Sequence, residues 1–174
     1  MKKVIVILLI ATLACKNEPN TTEKVQPIEV VEDTAKELKI AMNFKTDKAD
    51  EFRLMLNNVE VDEFQRKNIH IIEKVAPTSG SDEMTASFGA NNISKTLHIN
   101  LGNKEEKSIE ISAVQISYGQ NSLAVDGSNL SEYFSTNKYV DFDSVSQTIK
   151  TKRIDGKHIP TIILKRKHIN SLMQ

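Results

Sequence analysis

The chain has 174 residues, 39% of them apolar, with 23 Lys and Arg against 23 Asp and Glu, a formal charge of zero. That balance supplies no overall field for nucleic acid, and a single cysteine excludes a disulfide framework. The length suits one domain with a real core and hardly two.

Lys2 and Lys3 precede an unbroken apolar or small-residue run from Val4 to Ala14. The run holds about eleven residues, well short of the ~20 that span a bilayer, so residues 1–14 read as a signal peptide. The next residues, Thr12-Leu13-Ala14-Cys15, resemble the lipobox of bacterial lipoproteins. Thr12 stands where that family usually has Leu, a looser box common in the Bacteroidota. The resemblance implies that Cys15 is diacylated, becomes the new N-terminus and holds the protein to a membrane of the cell envelope, the outer membrane in such bacteria. The alternative is an ordinary secretory signal with an accidental cysteine. Removing the leader with its two lysines lowers the formal charge to about −2.

Lys16 to about Pro27 carries Asn, Pro, Thr, Glu and Lys with almost nothing to bury, so residues 15–33 are expected to be a solvated tether. Its Lys16-Asn17-Glu18 start resembles, with one acidic residue, the tags that send some Bacteroidota lipoproteins to the cell surface. Surface and periplasmic faces therefore both stay open. The charge is uneven along the chain. Glu18, Glu23, Glu29, Glu32 and Asp33 load the front, and Lys150, Lys152, Arg153, Lys157, Lys165, Arg166 and Lys167 load the back.

From residue 34 to 174 the chain reads as a succession of short strands. Leu38, Ile40, Met42 and Phe44 alternate with Lys39, Ala41, Asn43 and Lys45, the period of a half-buried strand. Phe52, Leu54 and Leu56 give a second strand, which Asn57-Asn58 is expected to end. Val59 to Lys67 is charged and reads as a helical turn or as a loop with Phe64 tucked inward. Ile69 and Ile71, then Met84, Ala86 and Phe88, mark two more strands. Thr96 to Tyr118 carries the clearest alternation, Leu97, Ile99 and Leu101 before Gly102-Asn103 and Ile109 and Ile111 after it. Between Ala113 and Val114 the apolar phase slips by one residue, which a β-bulge would absorb. Ser122 to Val125 follows. Asn129 with Glu132 three places on predicts a capped helical turn over Leu130 to Phe134. Tyr139 to Phe142, Val145 to Lys152 and Ile159 to Lys167 are the last predicted strands, with Asp155-Gly156 as a hairpin turn between the final two.

Nine or ten strands at near-regular spacing without a long helix predict an all-β fold, an antiparallel β-sandwich or jelly roll. The segments Ile99-Asn100-Leu101-Gly102, Ile109-Glu110-Ile111, Val114 to Gly119, Tyr133-Phe134 and Asn137-Lys138-Tyr139 resemble the later strands of galactose-binding-like jelly rolls. Carbohydrate-binding modules and accessory domains of Bacteroidota envelope proteins share that fold. The resemblance implies a fold and suggests glycan as a ligand class.

Sugar sites stack a ring on an exposed aromatic plane and hold the hydroxyls with polar groups. The chain has no Trp, so the candidates are Tyr118, Tyr133 and Tyr139, with core packing the expected role of at least two. Lys165, Arg166 and Lys167 are candidate ligand contacts for an anionic glycan, a lipid phosphate or an acidic partner. They and the cations of Lys150 to Lys157 would gather on one edge if the last two strands pair, where lysines also discourage edge-to-edge aggregation. No cofactor is expected beyond a structural calcium at Asp141 and Asp143, or at Asp47 and Asp50, although two aspartates alone are usually a solvated face. His70, His98, His158 and His168 form no HxH or HExxH, and neither GxSxG nor a glycine-rich phosphate loop occurs. The sequence thus points to a non-catalytic, lipid-anchored envelope protein that binds glycan or assists polysaccharide handling. The alternatives are a protein-interaction subunit of an envelope complex, and an enzyme without a readable motif.

Overall fold

Leu38, Ile40, Met42 and Phe44 are buried in strand β1 (Glu37–Thr46) while Lys39 and Asn43 stay exposed, as the alternation requires. The same rule builds β2 (Asp50–Glu60), β3 (Arg66–Val75), β4 (Asp82–Ala90), β5 (Leu97–Asn100), β6 (Ser108–Tyr118) and β7 (Asn121–Asp126). Short elements follow, α1 (Leu130–Tyr133), β8 (Phe134–Thr136), β9 (Val140–Asp143), β10 (Thr148–Thr151), β11 (Thr161–Leu164) and α2 (Arg166–Leu172). This computed structural model describes residues 35–174. The predicted leader, Cys15 and the tether over residues 15–33 lie outside the described residues.

The strands form two antiparallel sheets, the architecture of a β-sandwich. The first sheet runs β4-β1-β6-β10-β9, with β7 pairing the second half of β6 beside β10. The second runs β3-β2-β5-β11-β8. Inward residues of both sheets share one core, in which the Phe44 ring of β1 meets the Phe52 ring of β2 at 5.2 Å between centroids, tilted by 42°. The bulge falls one residue from its predicted place. Asn43 pairs with Ala113 and Phe44 with Ile111, leaving Ser112 spare, and its hydroxyl donates to the Asn43 carbonyl at 3.2 Å. Val114, Ile116 and Tyr118 thereby regain the core face.

Several expectations are corrected. Asn57-Asn58 does not end β2. Asn58 takes a left-handed φ of 58° and the register shifts between Leu56 and Val59, after which pairing with β3 resumes. Phe64 is not tucked inward but 91% exposed, because the Asp62 carboxylate accepts from the amides of Phe64 and Gln65 and closes a tight hairpin tip. Asn129 makes no side-chain cap; Asp126 takes that role one turn earlier by accepting from the Ser128 amide at 2.9 Å. Finally, β10 and β11 do not pair, since they belong to different sheets and only Ile154 and Lys157 bridge at the Asp155-Gly156 turn. The predicted last strand also stops at Leu164. Beyond it Ile169 and Leu172 are buried three apart, a helical spacing, and α2 docks on β7 with Asn121 Nδ2 donating to the Leu172 carbonyl.

Because all pairs are antiparallel, the sandwich has two distinct ends. The far end holds the β1–β2, β5–β6 and β10–β11 connections. The entry end holds the β2–β3 tip, the β4–β5 link and Lys36, whose carbonyl accepts from the Asn91 amide at 2.6 Å.

Candidate functional site

At the far end, Asp50 opens β2 and Lys107 closes the β5–β6 loop, and their side chains meet at 2.6 Å with 1% and 0% of their surface exposed. Lys107 Nζ also donates to the Leu101 carbonyl at 3.2 Å. Asp50 accepts from the amides of Glu51 and Lys104 at 2.8 and 3.0 Å. Burial, the strongest influence, pushes the Asp50 carboxyl up. The Lys107 ammonium and the two amides together outweigh it and hold the group below the usual carboxylate range. Lys107 N donates to Thr151 Oγ1 at 2.8 Å, and the same hydroxyl meets His158 Nε2 at 3.0 Å. His158 Nδ1 is buried without a partner among the described residues. The pair is sealed from solvent, so it fixes a loop rather than meeting a substrate. Gly102 makes this possible, with a φ of +88° and no Cβ to strike the Asp50 carboxylate. Gly102→Ala is therefore expected to lower the unfolding free energy by about 1–3 kcal/mol, read from the urea midpoint.

The entry end carries a concavity of about 530 Å³, in the size range of small-ligand sites. The bulge in β2 supplies Asn57, Asn58 and Glu60, and β3 supplies Arg66. The β4–β5 link adds Asn91, Ile93, Ser94, Lys95 and Thr96, and α2 adds Arg166 and, just past its end, Met173. Asn58 and Asn91 both sit at φ 58°, a left-handed geometry that a short polar side chain tolerates and that turns the chain sharply around the rim. Asn68 Oδ1 accepts from the Asn58 amide at 2.9 Å, Asn91 Oδ1 accepts from the Lys36 amide at 3.1 Å, and the Ser94 hydroxyl donates to the Asn57 carbonyl. Arg66 pairs with Glu60 at 3.2 Å, whereas Lys95 and Arg166 have no carboxylate at salt-bridge distance among the described residues. Three carboxamides, two hydroxyls and an excess of cations thus line one hollow.

A second concavity, about 550 Å³, opens at the lateral edge where β8 and β9 end their sheets. Buried Leu130, Phe134, Val140 and Ile162 floor it, Phe142 is half-buried beside them, and Asp141 and Lys165 stand at the rim. Lys165 Nζ donates to the Ser131 carbonyl at 2.7 Å.

The residues singled out in the sequence are dispersed. Tyr118 is buried at the end of β6 with the Lys36 ammonium 5.9 Å from its ring, and Tyr139 is buried with Lys138 at 5.2 Å. Tyr133 is half-buried and stacked on His168 at 4.4 Å. The terminal cations do not gather on one edge. Lys165 lines the lateral concavity, Arg166 the entry-end one, and Lys167 is exposed on α2. Asp141 pairs with Lys152 at 2.6 Å. The Ser146 hydroxyl and the amides of Val145 and Ser146 occupy Asp143 and hold its carboxyl below the usual range. Asp47 accepts from the Ser108 amide at 2.9 Å and does not share a site with Asp50, whose carboxylate faces Lys107. Among the described residues no three His, Cys, Asp or Glu side chains gather around a common point, and no helix is long and apolar enough to cross a membrane. No protein-family model, curated protein or solved structure matches the chain.

Proposed function

We propose that the protein is a non-catalytic, lipid-anchored envelope module that binds an anionic glycan in the entry-end concavity. The single observation that carries this reading is the lining itself: Asn57, Asn58, Asn91, Ser94 and Thr96 suit hydroxyls, and Lys95 and Arg166 suit carboxylate or phosphate. The anchor rests on Lys2, Lys3, the apolar run to Ala14 and the lone Cys15, with acylation at Cys15 and an outer-membrane address. At the same concavity Asn91 clasps the backbone of Lys36.

The fold proposed is a jelly roll whose chain ends are relocated. In a jelly roll the first strand lies beside the eighth, the eighth beside the third and the third beside the sixth. Counting from β10 through β11 and on to β1 reproduces that order as β10-β6-β1-β4, and the second sheet follows as β11-β5-β2-β3. On this count β7, β8 and β9 are insertions between the eighth strand and the first.

The test titrates the purified chain with an acidic uronic-acid oligosaccharide and with its neutral counterpart. Binding of the acidic form alone is expected, falling about tenfold or more in each of Lys95→Ala and Arg166→Ala and weakening with salt. Equal binding of both oligosaccharides, or variants that bind like the parent, would end the proposal. A second reading, docking to an envelope protein, draws on one observation, the Phe64 ring standing 91% exposed beside half-exposed Val61 on the β2–β3 tip.

A further inference from the structure

We propose that Met55, His70 and His98 form a binding site for a soft monovalent cation, Cu(I) or Ag(I), on the outward face of the second sheet. The three residues stand in one row across three adjacent strands. Met55 of β2 pairs with His70 of β3 on one side and with His98 of β5 on the other. All three point away from the core, since their chain neighbours Leu54, Leu56, Ile69, Ile71, Leu97 and Ile99 pack into it. Directly opposed residues place their Cβ atoms about 4.5–5.5 Å apart, so each imidazole flanks the thioether from its own side and is within reach of a shared ion above Met55.

The donor set decides the class of ion. A thioether is a soft ligand that selects Cu(I), and imidazole nitrogen completes its coordination. Zinc prefers four ligands drawn from imidazole, thiolate and carboxylate, and the row offers neither thiolate nor carboxylate. Arg53, which precedes Met55 by two residues on the same face, repels a dication twice as strongly as a monocation. Neither imidazole has a hydrogen-bond partner among the described residues, so no protein contact competes for its lone pair. Burial also holds the pKa of the His98 ring below its ordinary value. Ile72, half-exposed diagonally from Met55, and Ile163, paired with His98, border the row with apolar surface.

The site is independent of the entry-end concavity, and so is its test. The full chain carrying Cys15→Ser, which removes the lone thiol, is mixed anaerobically with Cu(I) held by a chromophoric bicinchoninate probe. One Cu(I) per chain is expected to leave the probe, with affinity reduced at least tenfold in each of Met55→Leu, His70→Gln and His98→Gln. Met55→Leu nearly conserves volume at a half-exposed position, so its fold is retained, and far-UV circular dichroism checks it. Ag(I) is expected to shift the Met55 methyl resonance while leaving Met42, Met84 and Met173 in place. No withdrawal of Cu(I) from the probe, or undiminished binding in Met55→Leu, would overturn the proposal. So would a loss of binding in His168→Gln.

Discussion

Lys107→Ala is expected to remove about 3–5 kcal/mol of unfolding free energy, because it leaves the Asp50 carboxylate buried without its counter-charge. The amides of Glu51 and Lys104 still donate to it, but they do not replace a full positive charge at 2.6 Å. The opposite substitution strategy gives a different answer. Asp50→Leu with Lys107→Met exchanges both charges for apolar volume, and that pair is expected to be within about 1 kcal/mol of the parent or more stable. Urea denaturation of the three proteins at neutral pH reads both numbers. Acid supplies a further arm. The folded Asp50 carboxyl lies below its ordinary value, so the unfolded chain binds the proton first as pH falls. The stability it contributes is therefore complete above the ordinary carboxylate range and is lost as pH drops through the lowered folded value. In Lys107→Ala this contribution is already missing, so the gap between parent and variant is expected to narrow below about pH 4. A gap under about 1 kcal/mol, or one that stays constant from pH 7 to 3, would show that the pair does not hold the loop.

Much of this architecture is legible in a single sequence, and the reason is local. Leu38 to Phe44 and Ile109 to Tyr118 alternate because each strand buries one face, and the slip near Ala113 is visible because a bulge must break that phase. Alternation says which face is inward but not which sheet receives the strand. The Asp155-Gly156 turn reads as a hairpin, yet there the chain steps from one layer to the other, so β10 and β11 part company. The strand predicted over Ile159 to Lys167 overruns its end at Leu164 for a related reason. Ile169 and Leu172 already showed helical spacing beyond it, but the run of cations in between carried no periodic signal.

The candidate sites are less legible because each is assembled from distant segments. Asp50 and Lys107 are 57 positions apart and look like ordinary surface charges, and only the fold removes them from water. The entry-end concavity draws on the β2 bulge, the β4–β5 link and α2, and just one of its residues, Arg166, stood out beforehand. The Asn57-Asn58 and Asn91-Asn92 doublets were the available signal, since adjacent carboxamides favour left-handed turns. Asn91-Asn92 follows the end of β4, whereas Asn57-Asn58 lies inside β2, and both shape the rim. His70 and His98 lack any spacing motif because their relation runs across strands, through Met55, and register is not written along the chain.

Phe52→Ala is expected to cost about 3–5 kcal/mol, and Phe44→Ala the same, since each empties a large volume in a fully buried core. The two rings come from different sheets, so their contact at 5.2 Å is part of what joins the layers. A tilted aromatic pair adds about 0.5–1.5 kcal/mol beyond the area it buries. That surplus belongs to the pair and vanishes when either ring is removed. The double variant should therefore lose less than the two single losses combined, by about that amount. Each single variant is also expected to keep the parent's dependence on urea concentration, because the surface exposed on unfolding changes little. Strict additivity of the two losses would mean that the rings do not touch across the layers. Single losses below about 1 kcal/mol would mean that the inward faces of β1 and β2 are not packed against one another at all.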